Sequence, residues 1–107
     1  MKTAEFNKIV NNRLKMIKKI FISKAKEYAR EDRLHNFKVA ARISGLTPEQ
    51  ALQGMMMKHL VSVMDLISDT NLSKYPWSND IINEKLGDSI NYLILLEALL
   101  KERVSNA

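Results

Sequence analysis

The sequence predicts an all-α fold, with four helices in a single domain of residues 1–107. Apolar residues recur at spacings of three and four rather than in strict alternation, which is the pattern of amphipathic helices. Only three glycines and two prolines interrupt the chain, which favours long helices over many short strands. The apolar fraction of 46% and the charged fraction of 27% are typical of a globular protein.

The first predicted helix runs from about Ala4 to about Ala29. Its apolar face is marked by side chains three or four residues apart, namely Phe6, Val10, Leu14, Ile17, Phe21, Ala25 and Tyr28. The lysines of this segment fall mostly on other positions. Lysines that lie off the apolar face usually form a solvated helix face. Alternatively, they form a surface that binds phosphate groups.

Sequence signals also mark the ends of the later helices. After a polar break at Glu31 and Asp32, a second helix is predicted over residues 33–44, with Gly45 as its stop. The segment Thr47–Gln50 offers an N-cap hydroxyl, a proline at the first helical position and a glutamine that completes a capping box. This predicts a third helix from Pro48 to about Ser68, a loop over residues 69–78 and a fourth helix over residues 79–103.

Composition restricts the class of protein. No cysteine is present, so disulfides and thiolate metal sites are excluded, and the chain suits a reducing cytosol. The charged N-terminus lacks the apolar core of a signal peptide. The longest apolar run, Tyr92 to Leu96, is far shorter than the roughly 20 residues that span a bilayer. We therefore expect a cytoplasmic protein without a membrane partner.

The net charge of +5 is divided unevenly along the chain. Residues 1–44 carry 12 lysines and arginines against 4 acidic residues, and residues 45–107 carry 5 against 8. A basic segment attracts phosphates, on nucleic acid or on a small nucleotide, whereas an acidic segment can hold a metal or pair with the basic one. Because a chain this short buries a modest share of its surface, we expect apolar helix faces to be completed by a second copy.

The fourth helix carries a row of oxygen-bearing side chains. Glu84 and Asp88 are four residues apart, so they share one helix face, and Asn91 follows on the same stripe. Magnesium prefers oxygen ligands and completes its shell with water and substrate phosphates. Carboxylates at this spacing are also common on exposed helices without any ligand.

The third helix carries a stripe of small or polar residues beside an apolar face. The stripe consists of Ala51, Gly54, Lys58, Val61, Ser62 and Asp65, and the apolar face of Leu52, Met55, Met56, Leu60, Val63 and Ile67. One interpretation is tight helix packing with an exposed pair of charges. In the other, Lys58 binds phosphate and Asp65 faces Glu84 and Asp88, which requires the third and fourth helices to be antiparallel neighbours.

Further residues are candidates for contacting a base or a phosphate. His59 can stack on a base or donate to a phosphate, although a lone histidine more often satisfies a local hydrogen bond. The aromatic candidates for a base sandwich are Tyr28, Phe37, Trp77 and Tyr92, although aromatic residues at helical spacing are usually core residues. Arg33 and Asn36, at a helix start, are suited to reading a phosphate or a base edge. No glycine-rich phosphate loop and no Ser-His-Asp arrangement is recognisable, so covalent catalysis is not expected.

Three segments carry a resemblance to known proteins: KAKEYAREDRLHNFKVAARISG, GMMMKHLVSVMDLI and EKLGDSINYLILLEALLKER. The last resembles the second motif of MazG-like all-α nucleotide pyrophosphatases, in which an E-x-x-x-D pair binds magnesium. Together they resemble small phage proteins of the nucleotide-modification-associated domain type, over roughly Lys24 to Arg103. The pyrophosphatases carry an E-E-x-x-E cluster on an earlier helix, whereas Glu27 and Glu31 form only E-x-x-x-E.

The resemblance implies phage origin, location in the host cytoplasm, and a nucleotide pocket. The predicted ligand-binding residues are Lys26, Tyr28, Arg33, Asn36, Lys58, His59, Ser62, Asp65, Asn91 and Tyr92. The first hypothesis is a homo-oligomeric protein that sequesters a nucleotide, or a cyclic nucleotide signal of host antiviral defence. The alternative is a magnesium-dependent nucleotide pyrophosphatase, with Glu84 and Asp88 on the metal. A basic adaptor that contacts nucleic acid or a host protein through the first helix is a further alternative.

Overall fold

The computed structural model describes residues 1–23, 32–72 and 77–107. The elements are α1 (Thr3–Lys18), a π-helical turn (Lys19–Ser23), α2 (His35–Ser44), α3 (Pro48–Leu72) and α4 (Asn79–Ser105). These described residues contain no β-strand, so the predicted all-α class is confirmed. Within them no helix is long and apolar enough to cross a membrane. The chain divides into two compact units, Met1–Glu31 and Asp32–Ala107, and each is described by itself.

In the first unit, α1 is an amphipathic helix without a buried residue. Glu5 in its first turn and Lys15 and Lys18 in its last turn match the polarity of the helix dipole. The helix continues as a single π-helical turn to Ser23. The rest of the first predicted helix, residues 24–29, lies outside the described residues.

In the second unit, α2 begins at His35, two residues later than predicted. Asp32 accounts for the difference, because its carboxylate accepts a hydrogen bond from the Leu34 N–H at 2.9 Å and so holds the preceding turn. The predicted stop at Gly45 is confirmed. Gly45 has a left-handed backbone, with φ of 68°, and the N–H of Leu46 donates to the carbonyl of Ala41 at 2.9 Å.

The capping box predicted at the start of α3 is confirmed. The Thr47 N–H donates to Gln50 Oε1 at 2.9 Å, and the Gln50 N–H donates to Thr47 Oγ1 at 3.2 Å. The helix ends at Leu72, one turn beyond the predicted Ser68. The polar residues after Ser68 suggested a loop, but the Thr70 hydroxyl donates to the carbonyl of Ile67, which is compatible with a continuing helix.

The core lies where α2, α3 and α4 meet. It consists of Leu34, Phe37, Leu52, Met56 and Leu99, and Leu52 is completely buried. Leu60, Tyr92, Leu95 and Leu96 pack against this cluster. Of the apolar face predicted on α3, Met55 and Ile67 are exposed instead, so the buried stripe is narrower than the spacing suggested.

The contacts between α3 and α4 show that the two helices are antiparallel. Glu49 near the start of α3 pairs with Arg103 near the end of α4, and His59 in the middle of α3 stacks on Tyr92. We call the end with Glu49 and Arg103 the open end of this hairpin, and the half formed by residues 61–72 and 77–90 the loop end. The arrangement required by the predicted pocket is therefore present.

Charged side chains join the helices at the open end. Nε and Nη2 of Arg103 donate hydrogen bonds to the Glu49 carboxylate at 2.8 and 2.7 Å. These hydrogen bonds lower the pKa of Glu49 to about 2. Lys38 of α2 lies between the carboxylates of Asp32 and Glu102. The hydrogen bond from Lys38 also lowers the pKa of Asp32. These contacts fix α2 and α4 against α3 at one end.

Candidate functional site

Three predicted site residues from separate parts of the sequence meet in the middle of the hairpin. His59 of α3 stacks on Tyr92 of α4, with ring centroids 5.1 Å apart and planes inclined by 29°. The Nδ1 atom of His59 lies 3.4 Å from Oδ2 of Asp88. Asp88 and Tyr92 are four residues apart, so α4 presents both to the same histidine. We call these three residues the His59 cluster.

The His59 cluster is partly open to solvent. The side chain of His59 is 21% exposed and that of Asp88 is 42% exposed, so both can be reached by a small molecule. The cluster therefore offers an aromatic surface, a hydroxyl and a ring nitrogen in one place.

Small residues lie beside this cluster. Gly87 and Ser89 are buried on α4, and the Ser89 hydroxyl has no hydrogen-bond partner within the described part of the chain. The antiparallel register places Ser62 of α3 at about the level of Ser89. The Ser62 hydroxyl donates to the carbonyl of Lys58 at 3.2 Å within its own helix.

Ser89 was not among the predicted site residues. A signal for it existed, because residues 89, 92, 96 and 99 follow the helical spacing of the core-facing side of α4. A hydroxyl on that stripe must be buried. The sequence could not show that it would lack a partner.

The predicted metal residues do not gather into a larger cluster. Glu84 is exposed, and Asp88 approaches His59 instead of a second carboxylate. Asp65 is exposed on α3. Over residues 1–23, 32–72 and 77–107, no group of three or more histidines, cysteines and acidic residues is placed to hold a metal ion. The magnesium hypothesis therefore depends on Glu84 and Asp88 alone.

The other predicted ligand residues are spread more widely. Lys58 is exposed next to His59 in sequence, and Asn91 is half-buried next to Tyr92. Arg33, just before α2, and Asn36, in its first turn, are exposed. Phe37, considered for a base sandwich, belongs to the core. Lys26 and Tyr28 lie outside the described residues.

The fold and site thus define an all-helical protein with a half-buried histidine, tyrosine and aspartate between two antiparallel helices. No family model, curated protein or solved structure matches the chain.

Proposed function

We propose that this chain is a phage-encoded nucleotide-binding protein that sequesters a nucleotide, or a cyclic nucleotide signal of host antiviral defence. The observation that carries the proposal is the His59 cluster, in which three residues singled out as ligand or metal candidates lie side by side. The motif resemblance supplies the phage origin and the class of ligand. We also propose, on the same resemblance, that the helices follow the arrangement of the all-α nucleotide pyrophosphatases.

The chemistry of the cluster suits a base and its phosphates. Stacking of a base on an aromatic side chain contributes about 1–3 kcal/mol, and a base that stacked on His59 would gain this contribution. A ring N–H of His59 and the exposed ammonium of Lys58 would both donate hydrogen bonds to phosphate. The carboxylate of Asp88, 3.4 Å from Nδ1, would hold the imidazole in place. Binding in this form requires no metal ion.

The rival function is magnesium-dependent hydrolysis of a nucleotide. In that case Glu84 and Asp88 hold the metal and Lys58 neutralises phosphate, with water as the nucleophile. The spacing of Glu84 and Asp88 on one face of α4 favours this reading. The contact of Asp88 with His59 favours binding, because it occupies one of the two carboxylate oxygens that a metal would use.

A nucleotide panel separates the two functions. Linear and cyclic nucleotides are added to the pure protein with and without Mg²⁺, thermal stabilisation is scored, and the nucleotide is then recovered and analysed by chromatography. Stabilisation with the nucleotide recovered intact supports sequestration. Conversion to product supports hydrolysis. The absence of both stabilisation and binding heat across the panel would refute both.

Matched variants test whether the His59 cluster is the site. His59→Ala should lower affinity at least about tenfold through the loss of stacking, whereas His35→Ala, the same change at the chain's other histidine, should not. Tyr92→Phe should retain stacking, and Tyr92→Leu should lose it. For the rival function, Asp88→Asn should abolish turnover while Asp80→Asn, in the first turn of α4, should preserve it.

A further inference from the structure

The helix α1 presents an apolar stripe to solvent. Phe6, Val10, Leu14 and Ile17 are spaced four, four and three residues apart, which is the spacing of a helix that packs along another helix. Leu14 is 50% exposed and Phe6, one turn before Val10, is 57% exposed. Because α1 has no buried residue, this stripe is available for a partner.

The stripe is accompanied by a strong positive charge. Residues 1–23 carry six lysines and arginines against the single acidic residue Glu5. Two α1 helices packed against each other would bring these charges together, and like charges in an interface are unfavourable. The partner of α1 is therefore expected to be acidic.

The loop end of the α3–α4 hairpin has the opposite charge. Residues 61–90 contain five aspartates and glutamates against two lysines. Three of these carboxylates, on Asp65, Asp80 and Glu84, are exposed. Two such acidic ends would also repel each other, so this surface is suited to a basic partner.

The loop end exposes apolar side chains as well. On α3 they are Val61, Met64 and Ile67, and on α4 they are Ile81 and Leu86. Met64, on the exposed side of α3, is 62% exposed. The loop end thus combines the two properties that complement α1: an apolar surface and a negative charge.

We propose that α1 of one copy of this chain docks on the loop end of the α3–α4 hairpin of a second copy. Apolar contact between the Leu14 stripe and the Met64 surface would supply affinity, and the opposite charges would select the pairing. The contact joins two different surfaces, so two copies can exchange α1 helices or several can close a ring. The proposal concerns assembly and does not depend on nucleotide binding.

The test uses one variant for each surface in the full chain. Val10→Asp combined with Leu14→Asp changes α1, and Val61→Lys combined with Met64→Lys changes the hairpin. Size is measured by sedimentation velocity. We expect the unmodified protein to be oligomeric and each variant alone to dissociate, with its dissociation constant raised at least about tenfold.

Mixing the two variants gives the decisive result. Each variant keeps the surface that the other has lost, so an equimolar mixture should form a one-to-one complex through one intact contact. Ile43→Asp is the control, because Ile43 is 81% exposed at the end of α2 and belongs to neither surface. It should keep the size of the unmodified protein. If a double variant loses its circular dichroism, the exposed charge changes Lys15→Glu and Asp65→Lys replace it in the same design.

Several results would overturn the proposal. These are a monomeric unmodified protein, a variant that keeps its oligomeric size, and a mixture that fails to associate. Persistence of the oligomer in both variants would point to another exposed surface, such as Leu93 and Leu100 on α4. A monomer that binds duplex DNA or anionic vesicles, and loses that binding with the α1 change, would assign α1 to that partner instead.

Discussion

Replacing Ser89 by alanine should stabilise this protein. The Ser89 side chain is 7% exposed, and its hydroxyl has no hydrogen-bond partner among the described residues. A buried polar group left unpaired costs about 1–3 kcal/mol, and alanine also gains up to about 0.5 kcal/mol in helix propensity over serine. After allowing for the small space left behind, we expect the free energy of unfolding to rise by about 1 kcal/mol.

Ser62→Ala is the matched control for this change. Both serines lie in the interior of long helices, so the gain in propensity is the same. The Ser62 hydroxyl already donates to the carbonyl of Lys58, so its removal should leave stability almost unchanged. The difference in the free energy of unfolding between the two variants therefore measures the cost of the unpaired Ser89 hydroxyl.

Thermal unfolding followed by circular dichroism measures this difference. For a domain of 60–100 residues, a change of 1 kcal/mol shifts Tm by about 4–8 °C, which is easily resolved. A Tm for Ser89→Ala at or below that of Ser62→Ala would refute the reasoning, because it would show that the Ser89 hydroxyl has a partner in the folded protein. A more stable variant with weaker nucleotide binding would indicate that the hydroxyl contacts the ligand.

Three further predictions concern the contacts that stabilise the helices around the His59 cluster. Leu52→Ala should lower the free energy of unfolding in urea by about 3 kcal/mol, against less than about 1 kcal/mol for the half-exposed Leu100→Ala; equal losses would contradict the core assignment. Thr47→Ala should cost about 1 kcal/mol in the same assay through loss of the capping box, and no loss would show that the cap is not needed. Arg103 lowers the pKa of Glu49 from 4.5 to about 2, so the pair stabilises the fold above pH 4.5 and this stabilisation is lost as the pH falls through about 2. Glu49→Gln should therefore reduce the fall in Tm over that range, and an unchanged acid profile would count against the pair.

The sequence predicted the parts of the fold that depend on neighbouring residues. The capping box at Thr47 and Gln50 is a local signal, and so is the glycine stop at Gly45. The fourth helix begins at Asn79 as predicted, because the Ser78 hydroxyl accepts a hydrogen bond from the Ile81 N–H. The predicted helix ends were less accurate where polar residues are compatible with either a helix or a loop, as they are after Ser68.

The candidate site was only partly predictable, because it depends on how two helices are rotated against each other. Spacing placed Glu84, Asp88 and Asn91 on one face of α4, but it could not show that His59, 29 residues before Asp88 in the sequence, would meet Asp88 and Tyr92. Spacing also suggested that Asp65 would face Glu84, and the structure shows both exposed without forming a metal cluster. Phe37 has an aromatic ring that could stack on a base, but the ring is buried in the hydrophobic core.

The His59 cluster belongs entirely to helix interiors, and this affects the entropy of binding. His59 lies near the middle of α3, and Asp88 and Tyr92 lie near the middle of α4, so main-chain hydrogen bonds hold all three backbones. Their stacking and charge contacts restrict the rotamers as well. A ligand would therefore order few protein torsions on binding, and little of its interaction energy would be lost to conformational entropy. If the cluster binds a nucleotide as proposed, no loop has to close over the ligand to hold it.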